Sequence, residues 1–216
     1  MEKKSLQLYF TDKDGAQKNF LGDVKLTSFT YNAKRMGGAP TIEGTINYPE
    51  CLDDKWDASP YVIYNSEKFI LLTKPSSSKS NDSICYRHDV TFVAQRIVLE
   101  NVYFLDVVTP HTETAYKDRY RSNSTEFSTF CDIREFVARL NDSLIYSQLC
   151  KVVDDEYVGY HIVLDEALST EPKEVTISSV TVAEAMQEIH NTFGLNYYWV
   201  GKTCYVGDVQ NDIEEV

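Results

Sequence analysis

One change of hydrophobic period constrains this chain of 216 residues more than any other feature. In the first half, apolar side chains recur at every second position; from Phe127 they recur at intervals of three and four. A period of two sends alternate side chains to opposite faces of a strand, whereas spacing by three and four gathers them on one face of a helix. The first half therefore predicts strands and the second predicts helices among strands. The residue types agree, since 15 Tyr and 10 Phe against 2 Trp, with many Val, Ile and Thr, suit half-buried strand faces.

Along the first half, Leu6, Leu8 and Phe10 alternate with polar residues, Asp14-Gly15 makes a turn, and Val24, Leu26, Ser28 and Thr30 resume the alternation. The run from Lys34 to Pro40 breaks it, because Gly37-Gly38 permits positive φ and Pro40 holds Ala39 extended. A strand from Thr41 to Tyr48 follows. Tyr61-Val62-Ile63-Tyr64, then Asn65-Ser66, then Lys68 to Leu72 reads as a β-hairpin. The polar stretch Pro75 to Ser83 predicts a surface loop. Tyr86, His88, Val90, Phe92 and Ala94 share one parity of a long strand, and Ile97 to Val108, almost continuously apolar, predicts another. Thr109 to Asn123 lacks periodicity and predicts a second loop.

In the second half, Asp132 is placed as an N-cap with Glu135 in the capping-box position, and Ile133, Phe136, Val137, Leu140 and Leu144 form an apolar stripe. The same arrangement returns 49 residues later, with Thr181 and Glu184 at the cap, Val182, Ala185, Met186, Ile189 and Phe193 as the stripe, and Gly194 as the C-cap. Strands are expected after each helix, at Tyr160 to Leu164 and Leu195 to Val200. Two copies are too few for a solenoid, so two βαβ-like units packed on the strands of the first half are expected. A hairpin with Gly201-Lys202 at its turn and an acidic tail complete the chain. The predicted fold is α+β: a mainly antiparallel, barrel-like sheet in residues 1–124, the two helical units in residues 125–208, and the tail in residues 209–216.

A balance of 21 basic against 33 acidic residues gives a formal net charge of -12, which disfavours a protein that grips nucleic acid through its phosphates. No stretch approaches the roughly 20 apolar residues that cross a bilayer, and no signal-peptide pattern follows the charged start. Production and assembly in a cytoplasm, without a membrane partner, are therefore expected. The five cysteines are scattered without a CxxC pair, so reduced thiols serving as small core residues are expected rather than a disulfide framework or a zinc site.

Candidate sites resolve into structural roles. His88 and Asp89 are neighbours on a strand and so face opposite sides. His190 has Glu184 and Glu188 nearby without the i, i+4 spacing of a helical metal pair; His111 falls in a loop and His161 in a strand. Asp53-Asp54, Asp154-Asp155-Glu156 and Glu214-Glu215 have the local carboxylates a glycosidase would use, yet adjacent carboxylates in polar runs read as solvated surface. No serine stands in a GxSxG setting, and Gly37-Gly38 lacks the Lys-Ser/Thr of a phosphate loop. Tyr197, Tyr198 and Trp199 have the aromatic surface that stacks on sugars, although alternation sends them to two faces. No catalytic, cofactor-binding or metal residues are assigned, and no enzymatic activity is expected.

The segment Val175 to Leu195, followed by Tyr197-Tyr198-Trp199-Val200-Gly201-Lys202-Thr203-Cys204-Tyr205-Val206-Gly207, resembles the strand, helix and hairpin element of baseplate hub and tail-tip proteins of bacteriophages. The hairpin Tyr61 to Leu72, leading into a Ser-rich loop, resembles the corresponding part of those proteins and of tail-associated endopeptidase-type tip proteins, and Arg87-His88-Asp89-Val90-Thr91-Phe92 resembles their next long strand. The likeness of order and pattern touches about two thirds of the chain and carries no catalytic residues. It implies a structural subunit of a phage or prophage tail that assembles with itself, usually as a homotrimer, and joins the tail tube to the spike or fibre, with DNA only as passing cargo. The location implied is the virion tail, assembled in the host bacterial cytoplasm. Hub proteins are commonly longer, which implies either the N-terminal part of one or a short relative lacking the second barrel. The alternative function is a carbohydrate-binding module of a tail or surface protein, resting on the aromatic strands; a wall hydrolase is a third, without nameable residues.

Overall fold

The strand from Tyr86 to Ala94 is where the alternation of the first half is converted into a sheet. His88, Val90, Phe92 and Ala94 are buried on one face while Arg87, Asp89 and Thr91 face solvent. The protein is seen in a computed structural model that describes residues 5–22, 24–26, 28–33, 38–81, 83–107, 124–165, 167–168 and 170–207. Its contacts divide into two units, residues 1–97 and 98–216, each with its own core. Overall it is α+β with mostly antiparallel pairing.

The strands of the first unit are β1 (Leu6–Gln7), β2 (Tyr9–Thr11), β3 (Gln17–Asn19), β4 (Lys25–Leu26), β5 (Phe29–Asn32), β6 (Thr41–Tyr48), β7 (Tyr61–Tyr64), β8 (Glu67–Leu71), β9 (Ser77–Ser78) and β10 (Tyr86–Ala94). They pair in the order β3-β2-β7-β8-β10-β6-β5, with β9 also on β10, and β1 pairs with β4 in a separate ladder. The longest register joins β10 to β6, from Tyr86 opposite Tyr48 to Val93 opposite Thr41. The expected hairpin forms between β7 and β8, and Asn65 and Ser66 both take positive φ, 48° and 61°, as a tight two-residue connection requires.

Two expectations fail here for physical reasons. The run Val24 to Thr30 does not keep one parity: Leu26 is fully buried, but after Ser28 the core-packed position passes to Phe29. This shift divides the run, so that β4 pairs with β1 while β5 pairs with β6. Gly44 of β6 makes the crossing possible, since a Cβ there would lie 2.7 Å from both Leu26 Cδ1 and the Ser28 carbonyl oxygen. The apolar run from Ile97 is not a strand. Gln95–Glu100 is a 3-10 helix, and beyond it, among the described residues of the run, only Tyr103 and Asp106 bridge singly, to Thr181 and Ser124. Continuous apolarity does not distinguish a buried strand from a buried helical turn; burial of Leu99 and Phe104 in the second core satisfies it equally, and it places these residues with the second unit although the sequence grouped them with the first.

The second unit contains β11 (Glu126–Cys131), α1 (Ile133–Tyr146), β12 (Cys150–Val153), β13 (Glu156–Gly159), β14 (His161–Leu164), β15 (Lys173–Ser178), α2 (Val182–Met186), α3 (Glu188–Asn191), β16 (Asn196–Val200) and β17 (Thr203–Gly207). Both caps form as expected. The Asp132 side chain accepts from the Glu135 N–H at 2.8 Å, and Thr181 and Glu184 make a reciprocal box, with the Glu184 carboxylate accepting from the Thr181 N–H at 2.7 Å. Gly194, at φ 73°, closes the second helical run by donating to the His190 carbonyl at 2.9 Å. All five residues of the first stripe are buried, each such side chain being worth about 1.5 to 3 kcal/mol.

The second helix is not a full copy of the first. It is broken at Gln187, where Gln187 and His190 bond to carbonyls three residues back and tighten the backbone. Nor are these parallel βαβ units. The strands that precede the helices, β11 and β15, pair with each other antiparallel, whereas those that follow lie in another sheet, ordered β14-β17-β16, with β14 parallel to β17. The repeat is confined to caps and stripes. A displacement of 49 would set buried Phe127 on exposed Thr176, because β11 runs straight into Asp132 while Ser179 and Val180 separate β15 from its cap.

Two buried polar side chains of α1 hold the unit together. Asn141 donates from Nδ2 to the Ile162 carbonyl at 2.9 Å and accepts the Ile162 N–H at Oδ1 at 2.8 Å. In effect it replaces a neighbouring strand on the side of β14 away from β17. Ser143 accepts the Leu105 N–H at 3.0 Å.

Replacing Asn141 by Ala orphans both Ile162 groups, and a loss of about 3 kcal/mol, read from urea unfolding, is expected. Gly44→Val is expected to lower stability by about 2 kcal/mol through the clash with Leu26 and Ser28, read as a lower Tm. The bonds from Thr181 hold the Glu184 carboxyl below its ordinary range. Its contribution is therefore present above the unfolded value of about 4.3 and is lost as pH falls through the folded value. Glu184→Ala should lower Tm at about pH 7 and leave a smaller gap at about pH 3.

Candidate interaction surface

The three-stranded sheet of the second unit has one face on its core and one outside, as a period of two dictates. Ile162 on β14, Tyr197 and Trp199 on β16, and Cys204 and Val206 on β17 pack inward. The opposite parity places Val163, Tyr205 and Tyr198 in one row across the sheet, and His161, Thr203 and Val200 in the next. Tyr198 and Tyr205 are stacked, with ring centroids 5.4 Å apart and planes 22° apart.

The hairpin of β12 and β13 extends this surface. It pairs only with itself among the described residues, and Val152, Val153, Tyr157 and Val158 are each more than two-fifths exposed. Val152 and Tyr157 are cross-strand partners and so share a face. The Tyr157 ring stacks on that of His161, centroids 5.4 Å apart and planes 16° apart, which joins the hairpin to the sheet face. His161 is held from both sides, its Nδ1 3.0 Å from the Gly159 carbonyl and its Nε2 3.3 Å from Thr203 Oγ1. Among the described residues, the outward positions His161 and Val163, Tyr198 and Val200, and Thr203 and Tyr205 carry no formal charge, and Asp165 stands at the end of the β14 row.

The other singled-out residues are dispersed. His88 is fully buried against the edge of Trp56, ring centroids 5.7 Å apart, while Asp89 on the opposite face bonds to Thr45 and Arg87, so the two form no dyad. The carboxylates near His190 are used elsewhere, Glu184 in its capping box and Glu188 with the Thr192 hydroxyl. Asp53 accepts from Ser77, and Asp54 precedes the 3-10 helix Lys55–Ala58. Asp154 and Asp155 form the β12–β13 turn, both at positive φ. His111, Gly37, Glu214, Glu215 and the loop Thr109 to Asn123 lie outside the described residues. Cys131, Cys150 and Cys204 are buried thiols, and burial pushes the first two above the ordinary thiol range; Cys51 is exposed. Among the described residues, no three His, Cys, Asp or Glu side chains gather as a metal ion requires, and no helix is long and apolar enough to cross a membrane.

Sequence reasoning singled out Tyr198 but missed Tyr205, Tyr157 and the whole β12–β13 hairpin. A usable signal existed for Tyr205: a two-residue turn at Gly201-Lys202 sets the register and puts it opposite Tyr198. Asp154-Asp155 between Val153 and Tyr157 marks a turn in the same way, yet the acidic run reads first as surface charge.

No family model and no curated protein matches the chain. Among solved structures it is similar to the prophage tail protein gp18 from Listeria monocytogenes EGD-e, with a TM-score of 0.56 and 8% identity over 93% of this chain and 50% of that one. It is also similar to the tail protein from Neisseria meningitidis MC58, with a TM-score of 0.52 and 12% identity over 94% of this chain and 50% of that one. The chain therefore spans about half the length of these two structures, and at such identities the likeness is one of fold.

Proposed function

We propose that this chain is a non-enzymatic structural subunit of a bacteriophage or prophage tail, a baseplate hub or tail-tip protein that assembles with itself and links the tail tube to the spike or fibre. The observation that carries the reading is the fold shared across more than nine-tenths of the chain with tail proteins from two different bacteria. In this reading the first unit supplies a barrel-like wall. Leu8 alone separates β1 from β2, the second strand of the order, and β4 leads into β5, its last strand; β1 and β4 pair with each other in a separate ladder, which suits such a wall. The net charge of -12 suits a wall past which DNA moves without binding. Tail tube and spike or fibre proteins are the partners, the virion tail the location, and the host cytoplasm the place of assembly.

The stacked Tyr198 and Tyr205 favour a second reading, a carbohydrate-binding module of a tail or surface protein. Deleting the coding sequence from an inducible prophage separates the two. The structural reading expects intact heads without functional tails, restored by the gene in trans, and antibody labelling at one end of complemented tails. Normal tails with reduced adsorption to cells, and binding of soluble wall glycan that Tyr198→Ala removes, would replace it with the carbohydrate reading.

A further inference from the structure

The outer face of the β14-β17-β16 sheet, extended by the β12–β13 hairpin, has the make-up of an interface core. Its apolar side chains, Val152, Tyr157, Val163, Tyr198, Val200 and Tyr205, are 38 to 52% exposed. Together they present on the order of 500 Å², near the upper end of the largest patch on an ordinary monomer. Tyrosine-rich surface depleted of charge is what distinguishes the centre of a protein interface from the rest of a surface. The hairpin points the same way, since a two-stranded ladder exposed on both sides is marginal in water without further packing.

We propose that this face is buried between copies of this chain, so that each copy contributes it to the contact with the next. Charge and area argue for that occupant. At a net charge of -12, two copies repel over most of their surfaces. A face without formal charge is one on which they meet without opposing carboxylates. Charges of both signs stand at its ends, Lys202 in the hairpin turn and Asp165 after β14, and they suit a mixed polar rim. Covering about 500 Å² on each of two copies removes about 1,000 Å², at the lower bound for a specific interface, so association is concentration-dependent. The proposal names the self-contact within the tail-subunit reading and rests on it only in giving that contact a purpose.

The test is sedimentation equilibrium of the full chain over a concentration series, with Tyr198→Glu, Val200→Glu and, as a control on the outer face of β11, Phe130→Glu; Phe130 is 70% exposed. The wild-type mass should rise from monomer towards two or three copies. Tyr198→Glu and Val200→Glu should weaken association at least tenfold with an unchanged circular dichroism spectrum and Tm, and Phe130→Glu should associate like the wild type. A wild-type mass that stays monomeric at every concentration overturns the proposal, as does equal weakening by all three variants. Binding of a soluble peptidoglycan fragment by a strictly monomeric wild type, lost in Tyr198→Ala, assigns the face to a glycan instead. A monomer that still restores tails to the deleted prophage sinks this contact while leaving the tail function standing.

Discussion

The second unit depends on how a strand edge is satisfied inside a helical core. A backbone N–H and C=O directed away from β17 would be stranded in apolar surroundings, and Asn141 meets both through one amide. That bond ties α1 to β14 at a single register. Through β14 it sets which residues of β17 and β16 face the core and which face outward. The outer surface of the sheet is thus set by the parity opposite to Ile162, the residue that Asn141 anchors.

The first unit is governed by a related constraint, the closeness with which strands can cross. Gly44 admits the Leu26 side chain and the Ser28 carbonyl at a point where any Cβ would collide with them. The crossing lets one stretch of chain pair first with β1 and then with β6.

Local signals proved readable where they were strong and short in range. The two caps, the five-residue stripe of α1, the Asn65-Ser66 and Gly201-Lys202 hairpins, and the parity of β10 follow from side-chain chemistry within a few residues. The failures lie where a distant partner decides. Leu99 and Phe104 are apolar enough for a strand, and the core that receives them determines that they are not in one. Phe29 takes the inward position because β6 lies on the other side of it, a fact absent from residues 24 to 30. As for the candidate surface, Tyr198 was visible as an aromatic on an alternating strand, whereas Tyr157 joins it through a hairpin whose acidic turn conceals its strands.

The sequence by itself determined an α+β composition, the two helix caps, the apolar stripe of α1, the turns of two hairpins, and a strongly acidic balance. Those properties depend on period, caps, turns and charge, which act within a turn of helix or across one hairpin. Only the tertiary structure decided that β11 and β15 pair with each other, that β14 runs parallel to β17, and that Val163, Tyr198, Val200 and Tyr205 fall on one face of a sheet. Each of these joins residues far apart in the chain. Their choice rests on packing and on the satisfaction of backbone groups, whose energies exist only once both partners are in place.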